Sequence, residues 1–73
     1  MIDTKQGEAM YHALDHKLKD KDGLMIAIDV ETGDYFLGRN TLEACDKGRK
    51  KYPHHTFYIK RIGANTAFVV GAV

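Results

Sequence analysis

Residues 24–62 read strand, tight turn, strand, capped helix, proline, strand, and that order constrains the fold more than any other feature of the chain. Leu24, Ile26, Ile28 and Val30 alternate with Met25, Ala27 and Asp29, so both faces of the first segment are largely apolar until Asp29. A strand covered on both faces belongs inside a sheet. Glu31-Thr32-Gly33-Asp34 supplies a turn, with Gly33 suited to a positive φ. Residues 35–38 return as a second strand. Asn40 and Glu43 form a capping-box-like pair three residues apart. Leu42 opens an apolar stripe that continues through Cys45 and Tyr52, with Ala44 and Gly48 adjoining. A glycine inside a helix costs about 1 kcal/mol against alanine, so Gly48 points to a close approach of helix and sheet. Arg49, Lys50 and Lys51 load the last turn, where they complement the helix dipole, and Pro53 ends it.

The third strand is expected over 56–62, with Phe57 and Ile59 on one face and Tyr58 and Ile62 on the other. Gly63-Ala64-Asn65 is a turn. Residues 66–73 are apolar and β-branched, and are expected as a fourth, edge strand or as a tail that pairs with another chain. Ahead of all this lies a helix over about 5–20, capped by Asp3 or Thr4 and stopped by Gly23. Met10, Leu14 and Leu18 recur on one of its faces with Tyr11 beside them, and the other side carries Glu8, His12, Asp15, His16 and Lys19. The expected fold is therefore a small two-layer α+β domain, α-β-β-α-β, with a three- or four-stranded sheet. Its strand order is 2-1-3, its first strand is central, and both helices lie on one face. A right-handed crossover through the second helix sets the third strand parallel to the second.

At 73 residues the chain is one domain, near the lower limit for a self-sufficient core. Cys45 is its only cysteine, so no internal disulfide supports that core. Self-association is the common remaining support, and a homodimer or a protein partner is expected. Ala67, Phe68, Val69 and Val70 are the candidate contact. The polar N-terminus and short apolar runs predict neither signal peptide nor membrane span, and hence a cytoplasmic protein.

The near-neutral net charge hides an asymmetry. Asp29, Glu31, Asp34, Glu43 and Asp46 are opposed only by Arg39 in residues 24–46, whereas 47–73 carry Lys47, Arg49, Lys50, Lys51, Lys60 and Arg61 and no acid. With Tyr52 and Tyr58 among them, these bases could track a phosphate backbone and stack on a nucleobase. The plainer reading is a solvated helix end that offsets its own dipole. Charge separation also allows two copies to meet.

Two constellations resemble metal or catalytic sites. His12 and His16 have the four-residue spacing at which two imidazoles on one helix share an ion, and His54-His55 would complete a site only if the fold brought that loop near. Both lie opposite the apolar stripe, which favours solvated side chains. Cys45 lies on an apolar face with no base in view, the setting of a structural thiol. No cofactor is implied.

Ile28-Asp29-Val30-Glu31-Thr32-Gly33 resembles the first motif of DnaQ-like 3′–5′ exonucleases, whose two acids hold divalent metals. That architecture needs further acids in a longer domain, and none follows Asp46 here, so a hairpin turn with polar shoulders is preferred. The run Gly23-Leu24-Met25-Ile26-Ala27-Ile28-Asp29, then Glu31-Thr32-Gly33-Asp34, Gly38-Arg39-Asn40-Thr41-Leu42-Glu43-Ala44, Lys51-Tyr52-Pro53 and Phe57-Tyr58-Ile59-Lys60-Arg61-Ile62-Gly63 resembles a group of short prokaryotic proteins of unknown function. That resemblance implies no activity and no catalytic residue. A looser similarity, through Gly38 and Thr41-Leu42-Glu43-Ala44, is to HicB-like antitoxins, which bind a small toxin and often DNA through a separate segment. The functional expectation is a non-enzymatic protein-interaction module, antitoxin-like or regulatory. The alternative is a nucleic-acid-binding module using the basic end of the second helix and the third strand.

Overall fold

The computed structural model describes residues 4–64 and 66–71. Helix α1 (Thr4–Leu14) runs into one 3-10 turn (Asp15–Lys17). Strands β1 (Met25–Asp29) and β2 (Tyr35–Gly38) follow, then α2 (Thr41–Lys51), β3 (Phe57–Arg61) and β4 (Ala67–Val70). The sheet order is β2-β1-β3-β4, and every neighbouring pair is antiparallel. The α+β class and the interior position of β1 match the sequence reading. β3 runs parallel to β2 across β1, as the crossover requires, and the apolar C-terminal segment adds the fourth strand. Asp3, a candidate cap, lies outside the described residues, as do Asn65 of the expected turn and residues 72–73.

The helices do not share a face. Tyr11 and Leu18 pack with Ile26, Ile28, Val30, Tyr58 and Ile62 on one side of the sheet. Ala44 and Cys45 of α2 pack with Met25, Ala27, Phe57 and Ile59 on the other. The domain thus has three layers, helix, sheet and helix, rather than two. The physical reason is already in β1, all five of whose residues are buried. Alternating side chains place apolar groups on both faces, and each face requires its own cover.

Two glycines set the layer spacing. A Cβ at Gly7 of α1 would lie 2.1 Å from Cδ1 of Tyr58, and one at Gly48 of α2 would lie 2.7 Å from Cε1 of Phe57. Successive residues of β3 therefore face the two helices, and each helix meets its aromatic ring at a glycine.

Local departures from expectation have identifiable causes. The first helix narrows to a 3-10 turn at Asp15, and Gly23 (φ +92°) does not end it. Gly23 shapes the entry to β1, where its N–H donates to the Ile62 carbonyl at 3.0 Å. Leu42 is 70% exposed rather than part of the stripe, because Ala44, Cys45 and Gly48 form the buried side of α2. The cap holds: Asn40 Oδ1 accepts from the Glu43 N–H at 2.9 Å. The returning Glu43 carboxylate accepts from the Arg39 N–H, one residue earlier than a capping box requires.

Candidate functional site

β1 ends on a buried acid. Asp29 follows Met25 and Ala27 on the side facing α2, yet its side chain is fully inaccessible. A carboxylate in that position survives only if its oxygens are satisfied. Oδ1 accepts from the Glu31 N–H at 2.8 Å and the Thr32 N–H at 3.3 Å, and the Asp29 carbonyl accepts from the Gly33 N–H at 2.7 Å. Gly33 adopts φ +84°, which lets the chain reverse. The acid thus folds the β1–β2 turn around itself.

Oδ2 is left for a distant partner. After α2, the Tyr52 N–H donates to the Gly48 carbonyl, and the His55 N–H to the Tyr52 carbonyl at 3.3 Å. This path carries the His55 ring back to β1, where Nδ1 lies 2.6 Å from Asp29 Oδ2. Tyr52 stacks on the imidazole, with centroids 4.8 Å apart and planes 10° from parallel. The Tyr52 hydroxyl donates to Asp34 Oδ2, to which Lys51 Nζ also comes within 3.4 Å. Glu31 Oε2 accepts from the Thr56 N–H at 3.3 Å and sits 3.8 Å from His55 Nδ1. The β1–β2 turn and the α2–β3 loop are therefore joined at several points.

The electrostatics follow from these contacts. Burial pushes the Asp29 carboxyl up, but the hydrogen bonds from His55, Glu31 and Thr32 outweigh it and hold the group below its ordinary range. His55 is raised, first by its bond to Asp29, against partial burial, with the charges of Asp29 and Glu31 adding to the effect. Asp34 is lowered, chiefly by the Tyr52 hydroxyl. The arrangement can hold a proton or a cation between two carboxylates and an imidazole. Cys45 is elsewhere, buried under α2, where burial raises its thiol.

The basic residues are dispersed. Lys47 Nζ donates to the Leu37 carbonyl at 2.7 Å and lies 3.8 Å from Glu43. Lys51 meets Asp34. Lys60 lies over the Tyr11 ring, 4.7 Å from its centroid, and donates to the Ala64 carbonyl. Arg61 donates to the Gly23 carbonyl at 3.1 Å. Arg49 and Lys50 are exposed on α2. Lys60 and the α2 lysines thus sit on opposite layers. His12 and His16 are exposed, and the 3-10 turn at Asp15–Lys17 interrupts the continuous helix their spacing assumes. His54 is also exposed, and His55 turns to Asp29 rather than toward them.

The four apolar residues expected as a contact are β4 itself, the edge strand beside β3. Ala67 and Val69 pack toward the α1 layer and Val70 toward the α2 layer. Phe68 is 40% exposed. Val30 N–H donates to the Thr56 carbonyl and Ile62 N–H to the Leu24 carbonyl, which fixes the even-numbered residues of β3 as those bonded to β1. Antiparallel alternation then turns Phe57 and Ile59 toward their partners Val70 and Phe68. The backbone groups of Ala67 and Val69 face outward, along an edge that no other described strand pairs with.

The Asp29–His55 pairing was not legible in the sequence, since the partners are separated by a strand, a helix and two loops. The signal present was a lone acid at the end of an otherwise apolar strand, which demands a donor from somewhere. Comparison with protein-family models, curated proteins and solved structures finds no match to this chain.

Proposed function

We propose that this protein is a non-enzymatic interaction module that works through the open edge of β4, and that its occupant is a second copy of the chain. The observation that carries the reading is the contrast between the two edges of the sheet. At β2, the Leu37 carbonyl is already engaged by Lys47, and charged Asp34 and Arg39 flank the strand. Such devices blunt an edge against pairing. β4 has no charged residue and no proline, and it presents Phe68 to solvent. An antiparallel pair of identical strands about a two-fold axis satisfies both edges at once and closes the assembly.

The magnitudes predict a modest affinity. A four-residue strand adds only a few backbone hydrogen bonds, each worth about 1 kcal/mol net. Association itself costs about 4 kcal/mol or more. Burial of Phe68, worth about 2 kcal/mol per copy, must contribute, so pairing is expected to depend on concentration. The basic set is a poorer carrier of function, because Lys47, Lys51, Lys60 and Arg61 are each engaged within the fold.

The test is sedimentation of the wild-type chain and of Ala67→Pro. The Ala67 N–H faces outward at the first position of the strand, where proline is tolerated within a sheet. The substitution removes an edge donor while leaving the bonds to β3 in place. Wild type should shift from monomer to dimer as concentration rises, and Ala67→Pro should remain monomeric with unchanged circular dichroism. A folded Ala67→Pro that dimerises like wild type would place the contact elsewhere.

A further inference from the structure

Among the described residues, Asp29, Glu31 and His55 bring one donor atom each to within 4.8 Å of one another. We propose that Asp29 Oδ2, Glu31 Oε2 and His55 Nδ1 form a binding site for a single divalent first-row transition ion such as Zn²⁺, which ties the β1–β2 turn to the α2–β3 loop.

A clasp between the two loops needs only one acid and the imidazole. Here two carboxylates converge on the same ring nitrogen, at 2.6 and 3.8 Å. Even with the imidazole protonated, one negative charge is left over. That surplus suits a divalent cation better than a single proton. Donors around a tetrahedral zinc lie about 2.0–2.2 Å from the ion, hence somewhat over 3 Å from one another. The two separations from His55 Nδ1, 2.6 and 3.8 Å, bracket that value, so a shift of His55 away from Asp29 by about 0.8 Å and a rotation of Glu31 would seat the ion.

The supporting contacts are those a metal site uses. Asp29 Oδ1 is held by two backbone N–H groups, which aims Oδ2 at the site. Tyr52 fixes the plane of His55 by stacking, and Thr56 N–H holds Glu31. The side chains of His55 and Glu31 are 29% and 46% exposed, so an ion can enter and water can fill the remaining positions. One nitrogen and two oxygens form a borderline-hard set that suits Zn²⁺, Co²⁺ or Mn²⁺ rather than a thiolate-seeking ion. Binding requires Nδ1 free of its proton: an imidazolium releases that proton to solvent, whereas a neutral ring carries its one N–H on Nε2 instead. The ion would be structural, and the inference is independent of the β4 reading.

The experiment is calorimetric titration of ZnCl₂ into the EDTA-treated full chain, in two buffers of different ionisation enthalpy. The expected result is one ion per chain, with a buffer-dependent heat in mildly acidic solution, where the imidazolium gives up a proton as the ion binds. Glu31→Gln, at an exposed position where the amide can still accept from Thr56, should bind roughly tenfold or more weakly. The double variant His12→Ala/His16→Ala should bind as wild type does. With Co²⁺ as the probe, the visible absorption spectrum should change in His55→Gln. No saturable binding at about 1 mM Zn²⁺, equal affinity in Glu31→Gln, or loss of binding in the His12/His16 variant would overturn the proposal.

Discussion

His55 Nδ1 and Asp29 Oδ2 meet at 2.6 Å across a separation of 26 residues, joining the loop after α2 to the buried end of β1. The pair gives folding stability a definite pH dependence in metal-free protein. Asp29 is lowered in the folded state, so its contribution is present above the ordinary carboxylate range and is lost as pH falls through its folded value. His55 is raised, so its contribution is complete below the unfolded histidine value and is lost as pH rises through the folded one. Among the described residues, the groups that face His55 are Asp29, Glu31 and the Tyr52 ring. Stability in EDTA should therefore peak between about pH 4 and pH 6.5 and decline toward alkaline pH. Thermal melts across pH 3–9 test this, and His55→Ala should flatten the alkaline limb. A decline that persists unchanged in His55→Ala would assign it to other groups.

At Gly7 and Gly48 each helix lies too close to the sheet to admit even one methyl group. Alanine is about 1 kcal/mol better than glycine inside a helix, so propensity alone favours Gly7→Ala. Its Cβ, however, would fall 2.1 Å from Cδ1 and 2.6 Å from Cβ of Tyr58, a side chain only 1% exposed. The clash is with the root of the ring and cannot be relieved by a rotamer change. Overpacking of this kind costs about 1–3 kcal/mol, and it should win. Urea denaturation is expected to show Gly7→Ala less stable than wild type, with Gly48→Ala displaced in the same direction against Phe57.

The cap of α2 makes a separate contribution. Asn40 adopts extended backbone angles and accepts from Glu43 N–H. Asn40→Ala should lower stability by about 1 kcal/mol, while Asn40→Asp should be nearly neutral. Unchanged denaturant slopes would confirm that only the cap is lost.

Much of this architecture was legible because it is local. Gly33 marked its turn, Asn40 its helix start, and the alternation in residues 24–30 placed β1 inside the sheet. The same alternation contained the three-layer answer, since Ile26 and Ala27 are both fully buried on opposite faces. Leu42 misled because helical spacing gives a face but not its width, and the small residues Ala44, Cys45 and Gly48 take the contact. The Asp29–Glu31–His55 cluster was hidden because its members meet only after β2 and α2 have been crossed. The motif around Asp29 contains both acids of the cluster, Asp29 and Glu31, but not the histidine that meets them. The edge at β4 was visible as an apolar, charge-free segment, but the outward turn of Ala67 and Val69 depends on the ladder register.

A second copy that pairs with β4 must cover its outward backbone groups, those of Ala67 and Val69. Amide hydrogen exchange measured residue by residue, at protein concentrations from about 10 µM to about 1 mM, tests it most directly. Exchange at Ala67 and Val69 is expected to slow as concentration rises, while exchange at Tyr35 and Leu37, on the opposite edge, does not change. Rapid, concentration-independent exchange at Ala67 and Val69 would contradict it.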